Sequence, residues 1–246
     1  GRPFLRHKVL METSRLEPGQ IYRESDVQET YAHMIRLGGV LSTNVRLHPS
    51  ATDSTALDAD ILLTRGKRNS FSVEVEGTNS AGDFGAALST SYQNRNVFRG
   101  GETFNIKLRG AFEAIKGLSG YQDQNYIEYS AETGFTFPGF RAPFISRDFR
   151  RKVVATSEVS LMYDSQDRPE FHRRVVTAAW KYRWARPGKR LQHRVDLLDL
   201  NYVFMPWISS TFRELYLDDP ENRNAILRYN YENLFIMKWG YNMTYN

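Results

Sequence analysis

Strict alternation of apolar and polar residues through the middle of this chain constrains its fold more than any other feature. In residues 103–115 most even positions carry large apolar side chains, and most odd positions carry polar or charged ones. Residues 82–94 and 125–137 repeat this pattern. Successive side chains of a strand point to opposite faces, so the pattern predicts a sheet with one apolar and one polar face. Such a sheet is typical of a barrel wall and disfavours an enzyme.

Length and composition narrow the class of protein. The chain has 246 residues, enough for the core of one sizeable domain or of two small ones. It contains no run of about 18 apolar residues, so no transmembrane helix is predicted. A lipid-facing strand needs only about ten residues of alternating character, so a membrane barrel stays possible. The absence of cysteine excludes disulfide frameworks, thiolate zinc sites and cysteine nucleophiles.

Charge argues against nucleic acid as a partner. The net charge of +5 comes from 33 basic and 28 acidic residues, which alternate along the predicted strands. A nucleic-acid-binding protein usually carries a basic patch or stripe on a recognisable module. We therefore expect no nucleic-acid partner.

Candidate catalytic and metal-binding groups do not converge in the sequence. The five histidines form no H-E-x-x-H or similar pair; they are His7, His33, His48, His172 and His193. Glu128 and Glu132 share one face of a predicted strand, but such an i,i+4 pair is about 13 Å apart, too far for an acid–base pair. We expect no catalytic residue, no metal site and no cofactor.

The first 68 residues differ from the rest because their apolar spacing is helical before it becomes extended. A short helix is predicted within residues 4–11, and Ser25 with Gln28 fits a capping box that opens a second helix. Four apolar residues are predicted on one face of that second helix, namely Val27, Tyr31, Met34 and Ile35. Two strands follow, at residues 41–47 and 59–64.

Strands account for most of the remaining chain. Eight are predicted, at residues 71–77, 83–93, 103–115, 125–137, 152–163, 171–184, 192–204 and 224–245. The last span is too long for one ordinary strand, so it is a hairpin that turns near Asn233 or a strand that extends beyond a membrane. Leu197-Leu198 interrupts the alternation of the seventh strand. Residues 206–222 are predicted to form an excursion with one or two helical turns.

Six blocks of sequence occur in an order that carries a family resemblance. They are residues 19–22 (GQIY), 36–39 (RLGG), the strand pair to Thr64, and residues 76–82 (EGTNSAG), 94–102 (NRNVFRGGE) and 134–138 (GFTFP). The first three resemble a POTRA domain, and the others resemble the first hairpin, the next turn and a later strand of a surface-antigen-type barrel. In this order they resemble the outer-membrane assembly family that includes BamA and TamA.

The resemblance implies a mostly β fold with a small α+β module at the N-terminus. Residues 1–68 would form a partial POTRA domain with the order helix, helix, strand, strand. Residues 69–246 would form the N-terminal half of an outer-membrane β-barrel, with about eight antiparallel strands. The implied location is the bacterial outer membrane, with residues 1–68 in the periplasm. Because a POTRA domain begins with a strand and the family's barrel is larger, the chain is expected to be an internal fragment.

The resemblance also implies a function and its partners. The chain would belong to a component that assembles, inserts or translocates outer-membrane proteins by adding client strands at an open edge. Its partners would be unfolded outer-membrane client proteins, accessory assembly subunits and the lipid bilayer. The expected strand-addition edges comprise Phe71, Val73 and Val75 in the first barrel strand, and Val45, Arg46 and Leu47 in the N-terminal module.

Two further groups of residues have expected positions in such a barrel. Lipid is expected to contact Phe84, Leu88, Phe104, Ile106, Leu108, Phe112, Ile127 and Tyr129. The periplasmic rim is expected to carry the basic residues Arg95, Arg99, Arg141, Arg147, Arg150, Arg151, Arg186, Lys189 and Arg190. These rim residues would contact anionic headgroups or a partner's acidic surface, or would simply be solvated.

Two other functions fit the same alternation. The chain could be a soluble ligand-binding β-barrel whose apolar positions point into the cavity. It could also be a surface antigen or adhesin that binds through long connections such as residues 206–222. The face that carries Ile106, Leu108 and Phe112 separates the first alternative from the membrane barrel.

Overall fold

A computed structural model of the chain describes residues 3–80, 83–115, 125–142, 144–218 and 229–245. The first four elements are two helices and two strands: α1 (His7–Thr13), α2 (Glu24–Met34), β1 (Val40–Pro49) and β2 (Leu57–Arg65). The two strands pair antiparallel in a sheet of their own. The predicted order of helix, helix, strand, strand is therefore confirmed. Residues 3–68 are called the N-terminal module below, and their assignment as a POTRA domain stays a prediction.

The start of α2 differs from the predicted capping box. The helix begins at Glu24 after an extended Arg23, and no side chain caps its first turn. The Ser25 hydroxyl instead contacts the Asp26 side chain at 3.5 Å, and Gln28 Nε2 donates to Glu24 Oε1 at 3.2 Å. The capping-box prediction was wrong because the helix begins one residue earlier than the motif requires, so Ser25 lies in its first turn and Arg23 occupies the N-cap.

The buried face of α2 is rotated relative to the predicted one. Thr30 and Met34 are fully buried, whereas Tyr31 is 48% exposed. Met34 packs with Leu5 and Leu37 in a small core beneath the helices. Tyr31 was therefore wrongly placed on the buried face, since the Thr30 hydroxyl takes that side by donating to the Asp26 carbonyl oxygen at 2.7 Å.

The main sheet contains eight strands, each hydrogen-bonded to its neighbours in the chain. They are β3 (Asn69–Ser80), β4 (Asp83–Arg95), β5 (Thr103–Ala114), β6 (Asn125–Pro138), β7 (Val154–Asp167), β8 (Phe171–Ala185), β9 (Leu191–Ile208) and β10 (Leu234–Tyr245). All seven pairings are antiparallel, so the sheet is a meander. The predicted eight strands are confirmed.

Several predicted strand boundaries were wrong. The strands predicted to end at residues 77, 163 and 204 continue to Ser80, Asp167 and Ile208, so residues 206–208 of the predicted excursion belong to β9. Residue 152 belongs to a short helix, α3 (Arg147–Lys152), which the Ser146 side chain caps by accepting from Phe149 N. The predicted span 224–245 is a strand only from Leu234, and its residues 224–228 lie outside the described residues. Asn233 stands just before β10, where its Oδ1 accepts a hydrogen bond from Met205 N at 2.8 Å.

A β-bulge explains the interrupted alternation of β9. Trp180 of β8 pairs with Leu198, but the next residue, Lys181, pairs with Asp196. The pairing of β10 skips the same part of β9. Leu197 is therefore an extra residue that leaves the ladder, and it resets which positions of β9 face each side.

The connections alternate between the two ends of the sheet. Residues 96–102, 139–142, 144–153 and 186–190 lie at one end, called the base below, where the N-terminal module also docks. At the base, a cluster of buried residues joins the second connection to β7 and β8; its members are Phe140, Ala142, Val153, Ala155 and Tyr182. At the far end, residues 210–217 form helical turns, α4 (Ser210–Phe212) and a π-helical turn (Arg213–Leu217), inside the predicted excursion. Within the described ranges, no helix has the length and hydropathy to cross a membrane.

Candidate functional site

The main sheet places the predicted lipid-contacting residues on a single face, called the apolar face. Directly paired residues share a face of a sheet, and Leu108 pairs with Thr90 and Ala131, while Phe112 pairs with Ala86 and Ile127. Six of the eight predicted residues are exposed, namely Phe84, Leu88, Leu108, Phe112, Ile127 and Tyr129. Phe104 and Ile106 are half-buried on the same face. Contact with lipid stays a prediction.

The apolar face continues across the rest of the sheet. On β10 it comprises six exposed residues, Phe235, Met237, Trp239, Tyr241, Met243 and Tyr245. Soluble monomeric proteins rarely expose a contiguous apolar patch larger than a few hundred Å². A face of this extent needs an apolar medium or a partner to cover it.

The opposite, polar face carries ion pairs between neighbouring strands. Arg109 Nη1 of β5 contacts Glu76 Oε2 of β3 at 2.9 Å, and its Nε lies 3.8 Å from Glu128 Oε1 of β6. Arg183 pairs with Glu158 at 3.5 Å further along the sheet. The ion pairs and the large apolar residues therefore lie on opposite faces of the main sheet.

The first predicted strand-addition edge lies on β3. This strand pairs with β4 on one side, and no described strand pairs with its other side. Phe71, Val73 and Val75 lie on the apolar face and are 69%, 52% and 78% exposed. A free strand edge presents unpaired N–H and C=O groups that can accept another strand.

The strand β10 forms the second edge of the main sheet. It pairs with β9, and in the described part of the chain it does not pair with β3. Trp239 in the middle of β10 is 83% exposed. As far as the described strands show, the main sheet is therefore open, with two unpaired edges.

The second predicted edge, in the N-terminal module, is also placed by the structure. Val45 and Leu47 are half-buried and Arg46 is exposed on β1, whose outer side pairs with no described strand. The structure adds a groove of about 900 Å³ beside β2, which the sequence did not indicate. Leu47 lines this groove together with Leu57, Ile61 and Leu63 of β2.

The turn of residues 96–102 joins the base of the sheet to the N-terminal module. Asn96 Nδ2 donates to the Phe4 carbonyl oxygen at 2.8 Å, and Asn96 Oδ1 accepts from Gly101 N at 3.0 Å. Arg6 N donates to the Arg99 carbonyl oxygen at 2.9 Å, and Gly38 N donates to the Gly101 carbonyl oxygen at 2.8 Å. Asn96 is buried and has a φ of 71°, a conformation that asparagine tolerates better than most residues.

Gly101 permits the close approach of the two parts. Its φ is 78°, and a Cβ atom at this position would lie 2.9 Å from Leu37 Cδ2 and 3.2 Å from Leu37 Cα. An ion pair between Arg151 of α3 and Glu17 of the N-terminal module forms a further contact at the base. The orientation of the module on the sheet is thus fixed by backbone contacts and by buried polar groups.

A buried arginine holds the helices of the N-terminal module together. Arg15 N donates to Thr30 Oγ1 at 2.9 Å, and Arg15 Nη2 lies 3.3 Å from His33 Nε2. Arginine can only donate, so His33 Nε2 accepts in this contact and is unprotonated. Burial, followed by the positive charge of Arg15, lowers the pKa of His33 to about 4.

The residues that join the turn of residues 96–102 to the N-terminal module, called the junction below, were not predicted from the sequence. Arg6 meets Phe98 and Arg99 only because the turn and the N-terminal module pack, although the turn was recognised as a turn. The asparagine and the glycines of residues 96–101 were a usable signal, since these types favour positive φ. In the described ranges, no group of three or more His, Asp or Glu side chains is arranged to hold a metal ion.

Comparison with known proteins supports the fold. No protein-family profile matches the chain, and no curated protein sequence matches it. The structure of BamA from Haemophilus ducreyi lacking POTRA domains 1–3 aligns with 98% of this chain at a TM-score of 0.54 and 12% identity. CdiB from Acinetobacter baumannii aligns with 85% of this chain and 52% of its own, at a TM-score of 0.40 and 11% identity, too low to carry an argument. The chain covers 42% of the BamA chain. The similarity to BamA confirms, at the level of the fold, the resemblance recognised in the sequence.

Proposed function

We propose that this chain is part of an outer-membrane β-barrel component that inserts or translocates other membrane proteins, without enzymatic activity. In this proposal the apolar face lies in the lipid bilayer and the polar face lines the barrel interior. The N-terminal module lies in the periplasm as a partial POTRA domain. Unfolded outer-membrane proteins are the clients, and accessory subunits bind at the N-terminal module.

The observation that carries the proposal is the unpaired edge of β3 beside an exposed apolar face. Each unpaired backbone N–H or C=O group in lipid costs several kcal/mol, so an open edge there strongly favours a strand that pairs with it. A client strand supplies these partners without requiring a specific side-chain sequence. This property suits a component that must accept many different clients.

The exposure of the two faces argues against the soluble ligand carrier. In a carrier the apolar positions would be enclosed in the cavity, and the ion pairs of Arg109 would face water. Here Leu108 and Phe112 are 49% and 46% exposed, whereas the side chains of Arg109 and Glu128 are only 28% and 21% exposed. An open sheet whose exposed edges β3 and β10 both carry apolar residues matches a membrane barrel wall better than a closed soluble barrel. The adhesin is a less supported alternative, because no described feature of the helical turns at residues 210–217 indicates a binding surface.

Disulfide crosslinking tests the proposed edge, since the chain has no native cysteine. A Val73→Cys variant in membranes is offered an outer-membrane client that carries a single cysteine in its last strand. We expect a crosslinked product at Val73. The matched control is Thr90→Cys, because Thr90 pairs directly with Val73 but also with Leu108, so both of its sides are occupied.

The outcome separates strand addition from unspecific proximity. Equal crosslinking at residues 73 and 90, or no crosslinking at residue 73 in a correctly inserted chain, would count against strand addition at β3. A Val73→Pro variant gives a second test, because proline removes a backbone donor from the edge. Unaltered client insertion by that variant would oppose the proposal.

A further inference from the structure

A pocket of about 470 Å³ lies at the base of the main sheet, beside the apolar face. Its apolar wall is formed by Phe137, Val159 and Trp180. Val159 and Trp180 pair directly across β7 and β8, and Phe137 lies on the same face of β6. The pocket is therefore continuous with the surface that the proposed function places in lipid, at the end where the N-terminal module docks.

Two arginines form the polar side of this pocket. Arg6 is held by its Nε, which donates to the Phe98 carbonyl oxygen at 2.8 Å. The guanidinium of Arg141 lies over the Phe137 ring, 5.4 Å from its centroid. The Arg141 backbone is fixed by a hydrogen bond from its N to Ser157 Oγ at 2.9 Å. Among the described residues, neither guanidinium has a carboxylate within ion-pair distance.

A buried carboxylate completes the pocket. Glu102 is 4% exposed and lines the same pocket, and its Oε2 accepts a hydrogen bond from Gly100 N at 2.9 Å. In the described part of the chain no lysine, arginine or histidine forms an ion pair with it. A carboxylate taken out of water without a cationic partner is costly, so a cation that enters the pocket would be stabilised there.

We propose that this pocket binds the headgroup of a phospholipid whose phosphate is followed by an ammonium group, that is, a phosphoethanolamine lipid. Arg6 and Arg141 would donate to the phosphate, since guanidinium groups bind phosphate oxygens with paired hydrogen bonds. Glu102 would bind the ammonium group. The acyl chains would follow the apolar face from Phe137 towards Val159. The pocket volume lies within the range of about 300–1,000 Å³ that is usual for small-ligand sites.

The charges of the pocket favour this headgroup over others. Two cations and one anion complement one phosphate and one ammonium, and leave one positive charge for the surrounding membrane surface. A phosphoglycerol headgroup lacks the cation for Glu102. A phosphocholine headgroup carries the cation but cannot donate a hydrogen bond to a carboxylate. The inference rests on the proposed function, because it requires the apolar face to lie in a bilayer.

The test measures lipid binding to the full chain in detergent by isothermal titration calorimetry. The probes are dihexanoyl phosphatidylethanolamine, the corresponding phosphatidylcholine and phosphatidylglycerol, and inorganic phosphate. We expect the ethanolamine lipid to bind at least about tenfold more tightly than the other two lipids, and inorganic phosphate to show no binding at the same concentration. Arg141→Gln should weaken binding of all three lipids, and Glu102→Gln should abolish the preference for ethanolamine.

Two matched variants keep the test decisive. Val159→Trp fills the pocket, leaves its charges in place and should block all three lipids. Arg190→Gln removes an exposed charge from the same end of the sheet, outside the pocket, and should change nothing. Equal affinities for the three lipids, equal binding of inorganic phosphate, or undiminished binding by Val159→Trp would overturn the proposal.

The failure of this proposal can be told apart from failure of the proposed function. Lipid binding is measured without any client, whereas crosslinking at Val73 requires one. A headgroup preference without crosslinking would leave a membrane barrel that has no strand-addition role. Crosslinking without a headgroup preference would overturn the lipid pocket alone.

Discussion

Asn96 and Phe4, 92 residues apart in the chain, are joined by a hydrogen bond of 2.8 Å from the asparagine Nδ2 to the phenylalanine carbonyl oxygen. This contact links the turn of residues 96–102 at the base to the start of the N-terminal module. The other side of the Asn96 amide holds Gly101 N, so one side chain satisfies groups of both parts. This buried amide therefore contributes to the orientation of the module on the sheet, together with the backbone hydrogen bonds of Arg6 and Gly38.

The Asn96→Ala variant should loosen this junction. It removes both hydrogen bonds and places an alanine at a φ of 71°, so we expect a loss of about 2–4 kcal/mol in the free energy of unfolding of the module. Thermal unfolding and the rate of proteolysis within residues 1–68 measure the effect. Asn96→Gly is the matched control, because it loses the same hydrogen bonds without the backbone strain. Equal losses in both variants would show that the backbone conformation contributes nothing.

The Gly101→Ala variant should separate the two parts by steric overlap. The new methyl group would lie 2.9 Å from Leu37 Cδ2 at a φ of 78°. We expect a destabilisation of about 1–3 kcal/mol, measured by the same unfolding assay. In a Leu37→Ala background, which is itself less stable because Leu37 is buried, Gly101→Ala should cost less but not nothing, because the strained φ and the Leu37 Cα remain. No cost in that background would mean that the side-chain contact alone sets the requirement for glycine.

The N-terminal module should lose stability as the pH falls from 6.5 towards 4. His33 has a pKa of about 4 in the folded chain and an ordinary value of 6.5 when unfolded, so in this range only the unfolded chain binds the proton. The contribution of neutral His33 to the free energy of unfolding is complete above pH 6.5 and amounts to at most about 3 kcal/mol. Hydrogen exchange of α2 at several pH values measures it.

The His33→Gln variant should flatten this pH dependence. The matched control is His48→Gln, since His48 is exposed and its pKa is raised by the Pro49 carbonyl and by Asp60. The control should keep the loss of stability between pH 6.5 and 4. An unchanged profile in His33→Gln would assign the pH dependence to another group.

Spin labels along β5 should report two different environments. Single cysteines at residues 104, 106, 108 and 112 should be relaxed by a lipid-soluble agent, and those at residues 105, 107, 109 and 113 by a water-soluble agent. The measurement uses the chain reconstituted in a bilayer. If the even positions are shielded from both agents, the apolar face is covered by protein and the soluble-carrier alternative gains support.

Prediction from the sequence succeeded where one periodic signal dominated. The alternation of residues 103–115 predicted β5 and its two faces, because along the whole strand one face meets an apolar environment and the other a polar one. The alternation failed at residue 152, which ends a short helix that the Ser146 side chain caps. The capping-box motif failed separately at Ser25, because the helix begins one residue earlier. Leu197 was flagged only as an interruption, since a bulge becomes visible only when both neighbouring strands are paired.

The proposed lipid pocket could not be predicted from spacing. Arg141 was expected at the rim, but Arg6 and Glu102 belong to segments that meet only after the module docks on the turn at the base. Charged residues brought together by such packing leave no periodic trace in a sequence. Their meeting depends on backbone contacts such as the one between Gly38 and Gly101.

The meander order of the main sheet has a consequence for how its size is set. Every described strand from β3 to β10 pairs only with the strands that precede and follow it in the chain. A hairpin added or removed at either edge would therefore leave all other pairings unchanged. The number of strands in the main sheet therefore depends on the number of hairpins in the chain. The sheet can widen by one hairpin at a time while the order of all its other strands stays the same.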